Sequence, residues 1–211
     1  MLLQTIACAA LAGIAFGKSA ADAMMDNVLK DMSIQTGDAG LDPAFLDPFA
    51  LSVKAGTPKL DFEANFTQVT LFGLGELERR GNCEYGFSGG DLKMACYVSL
   101  DHLCALTRAE VKGDQSDEFA HSISTSSDAP KSFLRIKFAG GPGTPARLLP
   151  MTIGPIQLTT TLTQGNVNLD PTHFYDFQTL AGRKIAQEVV RILAGKYSSI
   201  LQDVASRYRM P

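Results

Sequence analysis

The stretch Lys59-Leu60-Asp61-Phe62-Glu63-Ala64-Asn65-Phe66-Thr67-Gln68-Val69-Thr70-Leu71-Phe72-Gly73-Leu74 decides the fold. Leu60, Phe62, Ala64, Phe66, Thr70, Phe72 and Leu74 fall on one side of an extended chain. Lys59, Asp61, Glu63, Asn65 and Thr67 fall on the other. Period-two alternation of this length predicts a long, half-buried strand, spanning about 53 Å at ~3.3 Å per residue. Asn65-Phe66-Thr67 is also an N-glycosylation sequon, and Asn65 belongs to the polar side, where a glycan is sterically tolerable.

Outward from this strand, Ser88-Gly89-Gly90-Asp91 reads as the turn of a hairpin, with Asn82–Phe87 answering Leu92 to about Leu106. Leu92, Met94, Cys96, Val98, Leu100 and Cys104 keep period two. A turn between the two glycines sets Cys83 opposite Cys96, which predicts a cross-strand disulfide. A Cys83–Cys104 bridge needs a different register, and Cys96 with Cys104 on one strand lie about 26 Å apart, too far to bond. Cys104 is then left as a buried thiol. Glu118–Thr125, Ser132–Phe138 and Ile156–Leu162 are further strand candidates, with Val167–Leu169 as a short piece. Gly140-Gly141-Pro142-Gly143-Thr144-Pro145 is a loop. Most of the middle of the chain is therefore antiparallel sheet.

Helical patterns bracket the sheet. A short one covers about Ala20–Met32 with Met24, Met25, Val28, Leu29 and Met32, and a long one about Thr179–Arg207. In the long one Ile185, Val189, Val190, Ile192, Leu193, Tyr197, Ile200, Leu201 and Val204 fill about half the circumference. An arc that wide predicts a helix clasped by a curved surface. At ~1.5 Å per residue it is about 43 Å long, comparable to the long strand. The expected fold class is α+β: a strongly curved antiparallel sheet wrapped around a long C-terminal helix, a super-roll, with a shorter N-terminal helix.

Residues 1–17 carry no charged side chain before Lys18 and are too short to span about 30 Å of hydrocarbon, which reads as a secretory leader. Small residues permit a cut after Gly17 (Ala15, Gly17) or after Ala21 (Ser19, Ala21). The remaining chain, 18–211, is one domain by length, and nothing later is apolar enough to be an integral membrane segment. The formal net charge is −3 with both signs mixed throughout, so no basic stripe exists to neutralise phosphates and nucleic acid is not an expected partner.

Reactive constellations are weak. Gly86-Phe87-Ser88-Gly89-Gly90 matches the Gly-x-Ser-x-Gly pattern of hydrolases, but that motif needs a strand-to-helix turn, and Leu92–Val98 alternates as a strand. His102, His121 and His173 are dispersed, without metal-ligand spacing. Asp117-Glu118 reads as a solvated acidic pair, and the 140–145 loop lacks the Gly-Lys-Ser/Thr ending of a phosphate cradle. No cofactor and no catalytic residue are expected.

The run Phe62-Glu-Ala-Asn-Phe-Thr-Gln-Val-Thr-Leu-Phe-Gly-Leu74, the Ser88-Gly-Gly turn, Leu92-Lys-Met-Ala-Cys-Tyr-Val-Ser-Leu100 and Val111-Lys-Gly-Asp114 resemble the group 7 mite allergens. Those belong with arthropod juvenile-hormone-binding and takeout-like proteins and, more distantly, with the tubular lipid-binding proteins. The resemblance implies a curved sheet around a C-terminal helix with an apolar cavity between them for a lipid, fatty acid or terpenoid. The hormone carriers have a cysteine pair near the N-terminus, whereas this chain has its pair in the central hairpin.

The leading expectation is a secreted, non-enzymatic protein holding an apolar small molecule or lipid, with Leu60, Phe62, Phe66, Phe72, Met94, Val98, Leu193 and Ile200 lining the site. The alternative is an extracellular interaction protein whose core is closed by its own side chains and whose surface binds a protein, glycan or microbial surface.

Overall fold

The computed structural model describes residues 19–54, 61–113 and 120–211. Residues 1–17, the expected leader, and Leu60 lie outside the described residues. Helix α1 (Ala20–Asp38) is followed by strands β1 (Ala44–Phe45), β2 (Phe49–Val53), β3 (Phe62–Phe72), β4 (Glu78–Ser88), β5 (Asp91–Ser99), β6 (Cys104–Lys112), β7 (His121–Asp128), β8 (Phe133–Gly140), β9 (Arg147–Ile153) and β10 (Thr159–Gln164). Helix α2 (Pro171–Ile192), a π turn (Leu193–Tyr197) and helix α3 (Ser198–Ala205) complete it. The class is α+β, as the sequence predicts.

The strands form two antiparallel sheets. The first runs β1-β3-β6-β7-β10, with β2 also on β3, and the second runs β4-β5-β8-β9. The chain crosses between them at every second connection, from β3 to β4, β5 to β6, β7 to β8 and β9 to β10. The two sheets are thus the halves of one four-strand meander, creased across its middle. Backbone bonds stitch the crease: Leu100 N–H donates to Ser132 O at 2.9 Å, and Gly154 N–H to Phe133 O at 3.0 Å. Gly73 needs its glycine there. Its φ is +91°, and a Cβ would lie 2.2 Å from the His102 carbonyl oxygen. The Asp42 carboxylate fixes the same bend by accepting from Gly73 N–H at 3.0 Å and Gly75 N–H at 2.6 Å.

The crease and one bulge reset the alternation. Opposite β6, Phe66 pairs with Ala109 and Gln68 with Arg108, so Thr67 is an extra residue. One inserted residue exchanges the faces of everything beyond it. Phe62, Ala64 and Phe66 point inward as expected, but beyond the bulge Val69 and Leu71 take the buried positions, and Phe72 is 38% exposed. The crease does the same to the next strand. Met94, Cys96 and Val98 are buried in β5, yet in β6 the buried residues are Ala105, Thr107, Ala109 and Val111. Cys104 is therefore a half-buried thiol paired in register with Phe72, not a core residue.

Cys83 and Cys96 are bonded, with their Cα atoms 4.4 Å apart, the spacing of a non-hydrogen-bonded antiparallel pair. The turn is as read: Gly89 and Gly90 both have positive φ, +66° and +86°, the type I′ pattern. Ser88 sits on this exposed hairpin rather than on a strand-to-helix elbow.

Helix α1 docks beside the disulfide. Ser19 and Asp22 form a capping box, and the buried Asp22 carboxylate also accepts Cys83 N–H at 2.7 Å and pairs with Arg79 at 3.1 Å. Arg79 in turn holds Asp26 at 2.9 Å. Burial pushes the Asp22 carboxyl up, but the Cys83 N–H, the Ser19 groups and Arg79 together hold it below its ordinary value.

The C-terminal helix begins at Pro171, earlier than Thr179. The Asp170 side chain accepts Thr172 N–H and His173 N–H, and Pro171 occupies the first turn. Val167–Leu169 is not a strand. Strand β9 (Arg147–Ile153) is not among the strands expected from the sequence, and it contains Pro150. It is an edge strand with a bulge at that point, where a missing N–H is tolerated. Buried helix residues recur every four: Phe177, Ala181, Ile185, Val189, Leu193, Tyr197, Leu201 and Ala205. Each step of four advances the stripe about 40°, so it turns by about 160° between Phe177 and Leu193. The packing partners change accordingly, from β2 and β10 under α2 to β9 and α1 beside α3. The stripe is narrower than the half-circumference expected, with Val190 exposed and Ile200 only half-buried.

Candidate ligand site

The inner face of the first sheet presents Phe62 and Phe66, four residues apart on β3 with Ala64 between them. Phe49, in register with Phe66 on β2, stacks on it with centroids 4.5 Å apart. Helix α2 lowers Phe177 onto the same place, edge-on to Phe62 at 5.4 Å and nearly parallel to Phe66 at 6.3 Å. Phe174, about one turn earlier, lies 6.2 Å from Phe177 and is half-buried, at the rim. Five rings thus gather where β2, β3 and the start of α2 meet. Aromatic pairs of this geometry contribute about 0.5–1.5 kcal/mol each beyond area burial.

The residues expected at the site divide between the two halves of the roll. Phe62 and Phe66 are brought together in the aromatic cluster. Met94 and Val98 are buried on the inner face of the second sheet, in register with Phe138 and Leu134 of β8. Leu193 is buried at the start of the π turn, and Ile200 packs at the margin of the core. Phe72 faces outward, carried there by the Thr67 bulge, and does not join them.

Phe49, Phe174 and Phe177 escaped sequence reading. The last two had a legible signal in Asp170-Pro171, a capping residue followed by a first-turn proline. Also missed was a strip of buried hydroxyls on the inner face of the first sheet. Thr107 pairs with Thr125 at 2.7 Å and Ser127 with Thr160 at 2.8 Å, and Gln178 of α2 donates to the Thr160 carbonyl at 2.7 Å. Helix α2 comes close here because of Gly182, whose Cβ would lie 3.0 Å from the Leu158 carbonyl oxygen. A shallow groove runs beside this contact, lined by Ile156, Leu158, Tyr175, Gly182, Arg183 and Val190.

Reactive groups do not converge. Among the described residues no three His, Cys, Asp or Glu side chains gather as a metal site would require. His102 lies 4.0 Å from Glu78, His121 Nε2 contacts the Asn166 carbonyl at 2.8 Å, and His173 pairs with Asp170. Lys93 Nζ donates to Ser88 Oγ at 3.2 Å on the exposed hairpin. Burial pushes the Cys104 thiol up, away from thiolate reactivity. No described helix is long and apolar enough to cross a membrane.

No protein-family model matches the chain, and no curated protein matches it. The likeness to group 7 mite allergens and takeout-like proteins therefore gains no support from either comparison. Among solved structures, the chain is similar to a lipopolysaccharide binding protein at 13% identity and a TM-score of 0.41, over 85% of this chain and 39% of that one. At that score the likeness transfers neither ligand nor role to this chain.

Proposed function

We propose that this chain is a secreted, non-enzymatic binding protein that holds an apolar ligand, a lipid, fatty acid or terpenoid-like molecule, between the creased sheet and the C-terminal helix. The observation that carries the reading is the aromatic cluster of Phe49, Phe62, Phe66, Phe174 and Phe177. Its rings are apolar, Phe62, Phe66 and Phe177 are fully buried, and the half-buried Phe174 forms its rim. Core methionines Met24, Met25, Met32 and Met94 are unbranched and adapt to an occupant. Secretion accords with the Cys83–Cys96 disulfide and the leader-like residues 1–17, and Asn65 lies exposed on β3, where a glycan fits.

Phe174→Asp tests the site without threatening the fold, because a carboxylate near the N-terminus of α2 favours the helix. Uptake of a fluorescent fatty acid is expected to fall at least tenfold in this variant. Unchanged uptake would place the ligand elsewhere.

A second reading is favoured by a different observation. Tyr85 and Phe87 on the β4–β5 hairpin are 61% and 72% exposed, although their register partners Met94 and Leu92 are buried. This apolar ledge suits a surface-binding role with a closed core. Loss of cell-surface or protein binding in a Tyr85→Ser/Phe87→Ser double variant that still takes up fatty acid would favour it.

A further inference from the structure

The C-terminal helix changes character once, at the π turn Leu193–Tyr197, where Gly195 has φ −99° and ψ −105°. Such turns are rare within helices and concentrate at functional positions. This one ends on Tyr197, which is fully buried and whose hydroxyl meets no partner among the described residues. A buried hydroxyl without a partner is costly. Most other buried hydroxyls among the described residues are paired. Thr107 is paired with Thr125, Ser127 with Thr160, and Thr36 Oγ1 donates to the Met32 carbonyl at 2.8 Å. Ser132, in the crease between β7 and β8, is the other buried hydroxyl in the same condition.

Phenylalanine would fill the position without the penalty, and the chain has 12 of them. Phe62, Phe66, Phe138 and Phe177 are the other fully buried aromatic side chains among the described residues. Tyr197 is the one tyrosine in that set. It lies twenty residues beyond Phe177, about 30 Å along the helix at ~1.5 Å per residue, so it serves the far end of the interior and not the aromatic cluster. The neighbouring Lys196 side chain donates to the carbonyl of Ala39, the C-cap of α1, and Asp42, three residues on, holds Gly73 and Gly75 of the crease.

We propose that the Tyr197 hydroxyl is a polar anchor at the α3 end of the interior, donating a hydrogen bond to one acceptor oxygen, a carbonyl or carboxyl, on an otherwise apolar ligand. This rests on the interior-ligand reading and narrows it from any apolar molecule to an oxygenated one. Burial pushes the phenol's pKa up, so it stays a donor at neutral pH. A site with a buried donor disfavours a hydrocarbon that cannot satisfy it.

The test compares 2-dodecanone with dodecane as competitors of N-phenyl-1-naphthylamine on the delipidated full mature protein. The chain has no tryptophan to interfere with the probe's fluorescence. Wild type is expected to prefer the ketone. Tyr197→Phe should weaken the ketone about threefold to tenfold, the worth of one net hydrogen bond, leave dodecane unchanged, and leave the melting temperature of the empty protein equal or higher. As a second measurement, the carbonyl stretch of bound 2-dodecanone should lie lower in wild type than in Tyr197→Phe. If wild type takes up neither competitor, the interior-ligand reading itself fails. If both bind and Tyr197→Phe weakens both equally or neither, the anchor is overturned while that reading stands. A clearly destabilised empty Tyr197→Phe protein also overturns it, since the hydroxyl would then be satisfied by ordered water alone.

Discussion

Asp22→Ala removes the group on which α1, the disulfide and β4 converge. The carboxylate accepts Cys83 N–H at 2.7 Å and Ser19 N–H at 3.3 Å, and faces Arg79 at 3.1 Å, with its side chain 5% exposed. Leaving the buried Cys83 N–H unpaired costs about 1–3 kcal/mol, and loss of the capping box adds about 0.5–2 kcal/mol. Arg79 keeps Asp26, so the full cost of about 3–5 kcal/mol for orphaning a buried charge is an upper bound. The expected loss is about 2–4 kcal/mol, read as a shift in urea midpoint with unchanged slope. The effect also has a pH signature. The folded pKa lies below the unfolded value of about 3.9. Stabilisation is therefore complete well above that value and disappears as pH falls through the folded pKa. The advantage of wild type over Asp22→Asn should be largest near neutrality and shrink as pH falls below about 4. A cost under about 1 kcal/mol for Asp22→Ala, or a wild-type advantage independent of pH, would refute the reasoning.

Three other outcomes follow from the same packing. Phe66→Ala should destabilise by about 3–5 kcal/mol, whereas Phe72→Ala, on the outer face, should cost under about 1 kcal/mol; equal costs would remove the Thr67 bulge from the account. Replacing Cys83 and Cys96 by serine opens a loop whose ends are 13 residues apart, with an expected cost of about 3 kcal/mol in urea unfolding. On the proposed export, the cut should fall before Lys18, because a cut after Ala21 removes the Ser19 cap and the buried Ala21; an intact mass starting at Asp22 would contradict the role assigned to the capping box.

Much of this was legible in the residues, because alternation and turn chemistry act locally. Phe62–Phe66 inward, Asn65 outward, the Gly89-Gly90 hairpin and the Cys83–Cys96 pairing all follow from a few neighbouring positions. What failed was parity carried across an irregularity. Strict alternation points Phe72 and Cys104 inward only if it runs unbroken through the Thr67 bulge and the Leu100–Leu103 crease, features that depend on how distant strands meet. The aromatic site was half visible for a similar reason. Phe62 and Phe66 announce themselves by alternation, but Phe49 and Phe177 join them only through tertiary packing. The polar strip of Thr107, Thr125, Ser127 and Thr160 gives no sequence signal at all, since hydroxyls at strand positions read as surface until their partners are known.

The central claim is that the interior accepts an apolar molecule, and native mass spectrometry of the protein secreted from eukaryotic cells, followed by solvent extraction, tests it most directly. The account predicts a discrete, stoichiometric apolar adduct carrying an oxygen acceptor. A clean unliganded mass, from protein that also ignores fluorescent fatty-acid and terpenoid probes, would contradict it.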